Sequence, residues 1–140
     1  MDLENVFGLF SSREEYDNSE VYVDFTKTPI YWIGMYKKLV LNNLNFNKKV
    51  VKFFKDANSE LDIEEMSVAG EFVSYARAWT YIKEVNVENE EHLTAIKKYA
   101  DIHLDTSLKL GISFFQENDE QYEKCALLKK ILDKSQEFQS

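Results

Sequence analysis

Side chains able to do chemistry are few in this sequence, and their spacing limits what they can do. His92 and His103 are 11 residues apart. On a helix that is about three turns, which separates them by well over ~10 Å at ~1.5 Å rise per residue. They cannot share one metal ion. Neither completes a Glu-x-x-His pair of the di-metal bundle type, because Asn89 and Ala100 stand where the glutamates would be. Asp101-Ile102-His103-Leu104-Asp105 alternates carboxylate and imidazole, but residues two apart on a helix do not face each other. Cys125 is the one cysteine, between Lys124 and Ala126. It reads as a small buried hydrophobe that can make no internal disulfide. There is no Gly-x-Ser-x-Gly nucleophile elbow. Gly8, Gly34, Gly70 and Gly111 are isolated, so no glycine loop is built to cradle phosphate. The expectation is a protein with no metal, no cofactor and no catalytic residues, hence not an enzyme.

Charge is the remaining signal. The net charge is −8, unevenly spread. From Phe25 to Lys55 there are seven lysines and no acid, leaving ten basic against 25 acidic residues elsewhere. The run from Asp56 to Glu71 holds six carboxylates, Asp56, Glu60, Asp62, Glu64, Glu65 and Glu71, and no lysine or arginine. A face of this kind steers a small protein onto a basic target and speeds association. Glu84 to Glu91 is a second acidic stretch. The function expected from this layout is a non-enzymatic protein-binding module. It would be a small acidic inhibitor-, immunity- or adaptor-type protein that engages another protein with a basic surface.

The alternative uses the other charge. Lys37, Lys38, Lys48, Lys49, Lys52 and Lys55 form a basic patch on a helical segment. Tyr31, Trp32, Tyr36 or Phe46 would supply stacking for a helical nucleic-acid-associated protein. Against it, the segment has no arginine, the residue best suited to reading bases. The overall negative charge also repels a polyanion. Arg77 stands alone in an apolar stretch, where its stem is expected to pack while its head pairs with a carboxylate.

The elements that must position these residues are helical. One hundred and forty residues suit one domain. Four glycines and one proline argue against a turn-rich β fold. Asp2 and Glu4 stand where a secretory signal carries positive charge, and no apolar run approaches the ~18 residues of a membrane span. A cytoplasmic protein with no membrane contact is expected. The fold expected is all-α: a single compact bundle of about five helices with a short extended N-terminal segment. Residues 1–27 form an acidic segment packing on the bundle, and residues 28–140 form the bundle itself.

Within it, Ile63 to Val85 reads as a hub helix. Met66, Ala69, Val73 and Ala76 make one apolar stripe, and Val68, Phe72, Tyr75, Trp79 and Ile82 a second. A helix apolar nearly all round is expected to be enclosed by others. Ser67, Gly70, Ser74 and Ala78 form a low ridge for close approach. Thr28-Pro29 caps and starts the first long helix. The asparagine-rich tract 42–47 predicts a break, with a second helix resuming to about Ala57. Asp62 with Glu65 matches a capping box. One long helix is expected from a cap at Asn86 to about Gln116. Asp105 would pair with Lys109 and Glu120 with Lys124. Asn118 with Gln121 would cap the last helix, whose tail would fray.

Overall fold

The computed structural model describes residues 24–56, 63–118 and 121–140. Among the described residues it is all-α, a compact bundle of five α-helices with no strand. The expected capping boxes at Asp62 and the expected Glu120–Lys124 pair fall outside the described residues, as does nearly all of the acidic N-terminal segment. Asp24 to Thr28 form a short 3₁₀ turn, Phe25–Lys27, in which the Asp24 carboxylate accepts from the Thr26 amide and hydroxyl at 3.0 and 2.6 Å. Phe25, within the N-terminal segment expected to be extended, lies in this turn and is exposed.

Helix α1 (Pro29–Asp56) begins where Thr28-Pro29 predicts. The Thr28 hydroxyl accepts from the Tyr31 amide at 3.4 Å, and proline at the first position loses no helical hydrogen bond. The predicted break at 42–47 does not occur. Asn43 is buried, and the Asn47 side-chain amide donates to the Asn43 side-chain oxygen at 3.5 Å, one turn away. These two asparagines bond along the helix and do not compete for its backbone.

Helix α2 (Ile63–Ile82) returns beside α1 and packs chiefly on it. Its chain reverses through Val85, whose side chain is buried. Helix α3 (Glu90–Tyr99) is capped by Asn89, whose side-chain oxygen accepts from the Glu91 and His92 amides at 2.9 and 3.3 Å. Asn86, the expected cap, serves the preceding turn and accepts from the Glu88 amide at 3.0 Å. The single long helix expected from here to Gln116 is two helices. Ala100 is extended, and Asp101 starts helix α4 (Ile102–Asn118) by accepting the Leu104 amide at 2.7 Å. The five helices therefore match the expected number, but the division falls at Ala100-Asp101 and not in the asparagine tract. Asn118, expected with Gln121 to cap the last helix, is the final residue of α4, and helix α5 (Tyr122–Gln139) starts after Gln121 with no side-chain cap.

The core joins Ile33, Tyr36 and Val40 of α1, Tyr75, Ala78 and Ile82 of α2, Ile96 of α3, Leu104, Leu108 and Phe115 of α4, and Leu128 and Ile131 of α5. Tyr36 is fully buried, and its hydroxyl donates to the Ser107 carbonyl at 2.7 Å. Burial, then the neighbouring Tyr75, pushes the Tyr36 phenol well above its ordinary pKa. The ring reaches α4 where Gly111 has no side chain; a Cβ there would collide with the Tyr36 hydroxyl and touch Leu128 at 3.0 Å. Gly111 thus marks close packing, as its place in a helix suggests. Tyr75 stacks on Phe114 with ring centres 4.2 Å apart, and Trp79 meets Phe115 edge-on at 5.9 Å.

The C-terminal tail does not fray. Ser135 is buried, and its hydroxyl donates to Asp105 at 2.7 Å; the Gln139 amide donates to the same carboxylate at 2.9 Å. This use of Asp105 replaces the expected pair with Lys109. Among the described residues every buried side-chain nitrogen or oxygen has a hydrogen-bond partner.

Candidate binding surface

Burial along α1 and α2 changes part-way. The last buried described residue of α1 is Asn43, and the first of α2 is Tyr75. From Leu44 to Asp56 and from Glu65 to Ser74, no described side chain is buried. These two half-helices form an arm that meets the core only near its inner end, where Phe72 lies edge-on to Phe114 at 5.1 Å. The expectation that α2 is enclosed on all sides is therefore wrong for its first half. The core takes Tyr75, Ala78 and Ile82 from α2, whereas Phe72 is 38% exposed and Trp79 half-buried. The other stripe, Met66, Ala69, Val73 and Ala76, is exposed throughout. The low ridge does not produce close approach at Gly70, where a Cβ would meet nothing within 4 Å.

Eleven large apolar side chains are exposed among the described residues, and seven of them lie on the arm: Phe46, Val51, Phe53, Met66, Val68, Phe72 and Val73. Scattered apolar residues are ordinary on a protein surface, but a concentration of them marks a binding site. Phe46 and Phe53 are 61% and 66% exposed. Seven residues apart, about two turns, they share one side of α1. A shallow depression on another side is lined by Leu44, Asn47, Lys48, Val51, Lys52, Lys55 and Asp56.

The lysines of the predicted basic patch are split. Lys37 is engaged away from the arm, 3.6 Å from Asp101 and with its ammonium 5.8 Å from the Tyr99 ring centre. Lys38 is exposed in the core half of α1. Lys48, Lys49, Lys52 and Lys55 are exposed on the arm, and none makes an ion pair among the described residues. Of the proposed stacking residues, Tyr36 is core and Tyr31 and Trp32 are half-buried. Trp32 packs edge-on to His92 and Tyr31 to Tyr81. Phe46 alone of the four is exposed.

The predicted acidic face is partly described. Glu60 and Asp62 lie outside the described residues, as does the side chain of Glu64. Asp56 ends α1 and lines the depression together with Lys48, Lys52 and Lys55. Glu65 is exposed, and Glu71 is half-buried. Six residues apart, Glu65 and Glu71 point about 120° apart around the helix axis. Burial, then the charge of Glu117, raises the Glu71 carboxyl above its ordinary pKa. The same burial effect, with Glu71 nearby, pushes the Tyr75 phenol up to about 12.

Four other predicted residues have clear places. Arg77 is exposed and makes no ion pair among the described residues, so the expected bundle carboxylate is not there. Cys125 is half-buried, and its thiol donates to the Ile112 carbonyl at 3.4 Å. The His92 Nδ1 accepts the Asn86 amide at 2.8 Å, while His103 is exposed on α4. Among the described residues no three His, Cys, Asp or Glu side chains gather as a metal site. No helix among them is long and apolar enough to cross a membrane.

What sequence reasoning missed is the arm itself. Periodicity identified its apolar stripes correctly, but periodicity does not say whether another element covers a stripe. The chain matches no protein-family model, no curated protein and no solved structure, so its functional reading rests on its own residues.

Proposed function

We propose that this chain is a non-catalytic protein-binding module of inhibitor or adaptor type, and that its α1–α2 arm is the part that engages the partner. The observation that carries this reading is the concentration of exposed large apolar side chains on the arm, led by Phe46 and Phe53. Exposed aromatic residues are the usual anchors of protein interfaces. The net charge of −8 supports a partner that is basic overall, because opposite charge steers encounter. Asp56 and Glu65, at the end of α1 and the start of α2, put carboxylates on the same arm as the anchors.

The test is capture of partners from a cell extract by the intact chain and by a Phe46→Ala, Phe53→Ala double variant. Both residues are exposed, so the fold is expected to survive, which circular dichroism checks. Proteins held by the wild type and lost from the variant support the reading. Identical capture by both chains sinks it.

A second reading has its own observation. Lys48, Lys49, Lys52 and Lys55 are exposed and without ion pairs among the described residues, which suits phosphate contact. Retention on DNA at low salt, abolished by Lys48→Glu with Lys52→Glu, would favour a nucleic-acid-associated protein over the first reading. No retention removes it.

A further inference from the structure

We propose that the depression along α1 docks an acidic amphipathic helix of another protein, laid lengthwise with its apolar side down. Leu44, Lys48, Val51 and Lys55 follow one another along α1 and all line the depression. At about 100° per residue they fall within about 60° of arc, and at ~1.5 Å rise they make a strip about 17 Å long. Phe46 and Phe53 lie about half a turn around the axis from this strip. The proposal therefore goes beyond the partner reading and does not rest on it.

The strip mixes two kinds of surface. Leu44 and Asn47 are half-buried in it, whereas Lys48, Val51, Lys52 and Lys55 are exposed, Val51 at 41%. The Asn47 amide is already given to Asn43. A lysine stem lies along apolar surface while its ammonium reaches outward. The depression thus offers apolar contact along its middle and positive charge at its edges.

Charge selects the occupant. The chain holds 25 acidic residues, yet Lys48, Lys52 and Lys55 make no ion pair among the described residues. Residues 44–56 carry four lysines against one acid, Asp56, in a chain of net charge −8. The complement of this strip has apolar residues along one side and carboxylates flanking them. An acidic amphipathic helix has that form, and helices of this kind dock in apolar grooves. Acids seven residues apart on such a helix repeat at about 10.5 Å, the axial interval between Lys48 and Lys55. Nucleic acid fits less well. Its phosphates would meet the lysines but leave Leu44 and Val51 against a charged backbone, and the segment has no arginine. An anionic bilayer entered by Phe46 and Phe53 would lie on the opposite side of α1 from the strip. Repulsion from acids elsewhere on the chain is screened over about 8–10 Å at ordinary ionic strength, so the lysines in contact decide.

The probes are three fluorescein-labelled peptides about four helical turns long, titrated with the full chain and read by anisotropy. One is amphipathic, with leucines along one side and glutamates flanking them. The second has the same composition in scrambled order. The third replaces every glutamate with lysine. For so short a strip, the first should bind with a dissociation constant of roughly 10–100 μM, and the others at least ~10-fold more weakly. Lys48→Glu with Lys55→Glu should weaken the first peptide at least ~10-fold. Lys109→Glu with Lys130→Glu, exposed on α4 and α5, changes the net charge equally and should leave binding unchanged. Val51→Ser removes apolar contact and should weaken binding at least ~3-fold. Circular dichroism checks that each variant folds. No binding of the first peptide at about 1 mM protein overturns the proposal. So does equal binding of the scrambled peptide or of a DNA duplex, because the lysines then attract any polyanion. Equal loss in the two lysine pairs overturns it as well. The Phe46→Ala, Phe53→Ala variant should bind the peptide like the wild type. Loss there would move the site to the phenylalanine side, which sinks this proposal and supports the partner reading.

Discussion

Gly70 and Gly111 are both helical glycines, and the structure gives them opposite roles. A side chain at Gly111 would displace the Tyr36 phenol, which is locked to the Ser107 carbonyl, and would press on Leu128. Gly111→Ala gains helix propensity but forces a packed core to move, so a net loss of about 1–3 kcal/mol is expected. Gly70→Ala meets no atom and should gain about 0.5–1 kcal/mol. Chemical denaturation of the two variants beside the wild type checks both signs. A gain at both sites would mean that Tyr36 does not hold α4 as described. Glu71 gives a second prediction at this scale. Burial and then Glu117 raise its carboxyl pKa, so its charged form is less welcome in the folded chain than in the unfolded one. The associated stability is fully present below the ordinary carboxylate pKa and is lost as pH rises through the raised one. Glu71→Gln removes the charge and keeps the shape. It should raise the melting temperature at neutral pH and leave it unchanged below about pH 4. Equal effects at both pH values would remove the electrostatic explanation.

At the scale of elements, the decisive positions are the ends of helices. Asp101 separates α3 from α4 by accepting the Leu104 amide, with Lys37 of α1 3.6 Å away. Desolvation alone would raise its pKa, but the Leu104 amide, Lys37 and His103 outweigh it and hold the carboxyl below its usual range. The stability it supplies is therefore present above the ordinary carboxylate pKa and lost as pH falls through the lowered one. Asp101→Ala should cost about 1 kcal/mol, mostly through the cap, because a partly exposed ion pair adds little. Asp101→Asn should retain most of the stability and lose its share of the acid dependence. Thermal melts of both variants across the acid range test this. The same position shows why element boundaries were hard to read. Ile96, Leu104 and Leu108 keep an apolar period across the junction, so the pattern looks continuous while the backbone turns. Asp101 looked like one member of an alternating carboxylate–imidazole run; its capping role depends on Ala100 being extended. In α1 the error runs the other way. Asn43 is buried against the bundle, and Asn47 bonds to it. That tertiary setting overrides the local preference of asparagine for helix ends.

For the whole molecule, the helical class, the start of α1 and much of the core follow from periodicity and capping residues. The arm does not follow. A stripe such as Met66-Ala69-Val73-Ala76 has the same pattern whether it is covered by the chain, by a second molecule or by water. The core half of the molecule is tied across its helices by Tyr36 to Ser107 and by Ser135 and Gln139 to Asp105. In the arm no described side chain is buried, and Phe72 meets Phe114 of α4 edge-on at 5.1 Å. Local stability tracks buried contacts, and segments poor in them open below the free energy of global unfolding. Amide exchange in residues 44–56 and 65–74 should therefore be faster than in α4 and α5 of the monomer. A partner held by Phe46 and Phe53 should slow it in residues 44–56 and leave α4 and α5 unchanged. Hydrogen exchange read peptide by peptide distinguishes these patterns. Uniform protection through both halves of α1 and α2 in dilute protein would show that the arm is as firmly held as the bundle, and that its exposed apolar side chains need no second molecule to cover them.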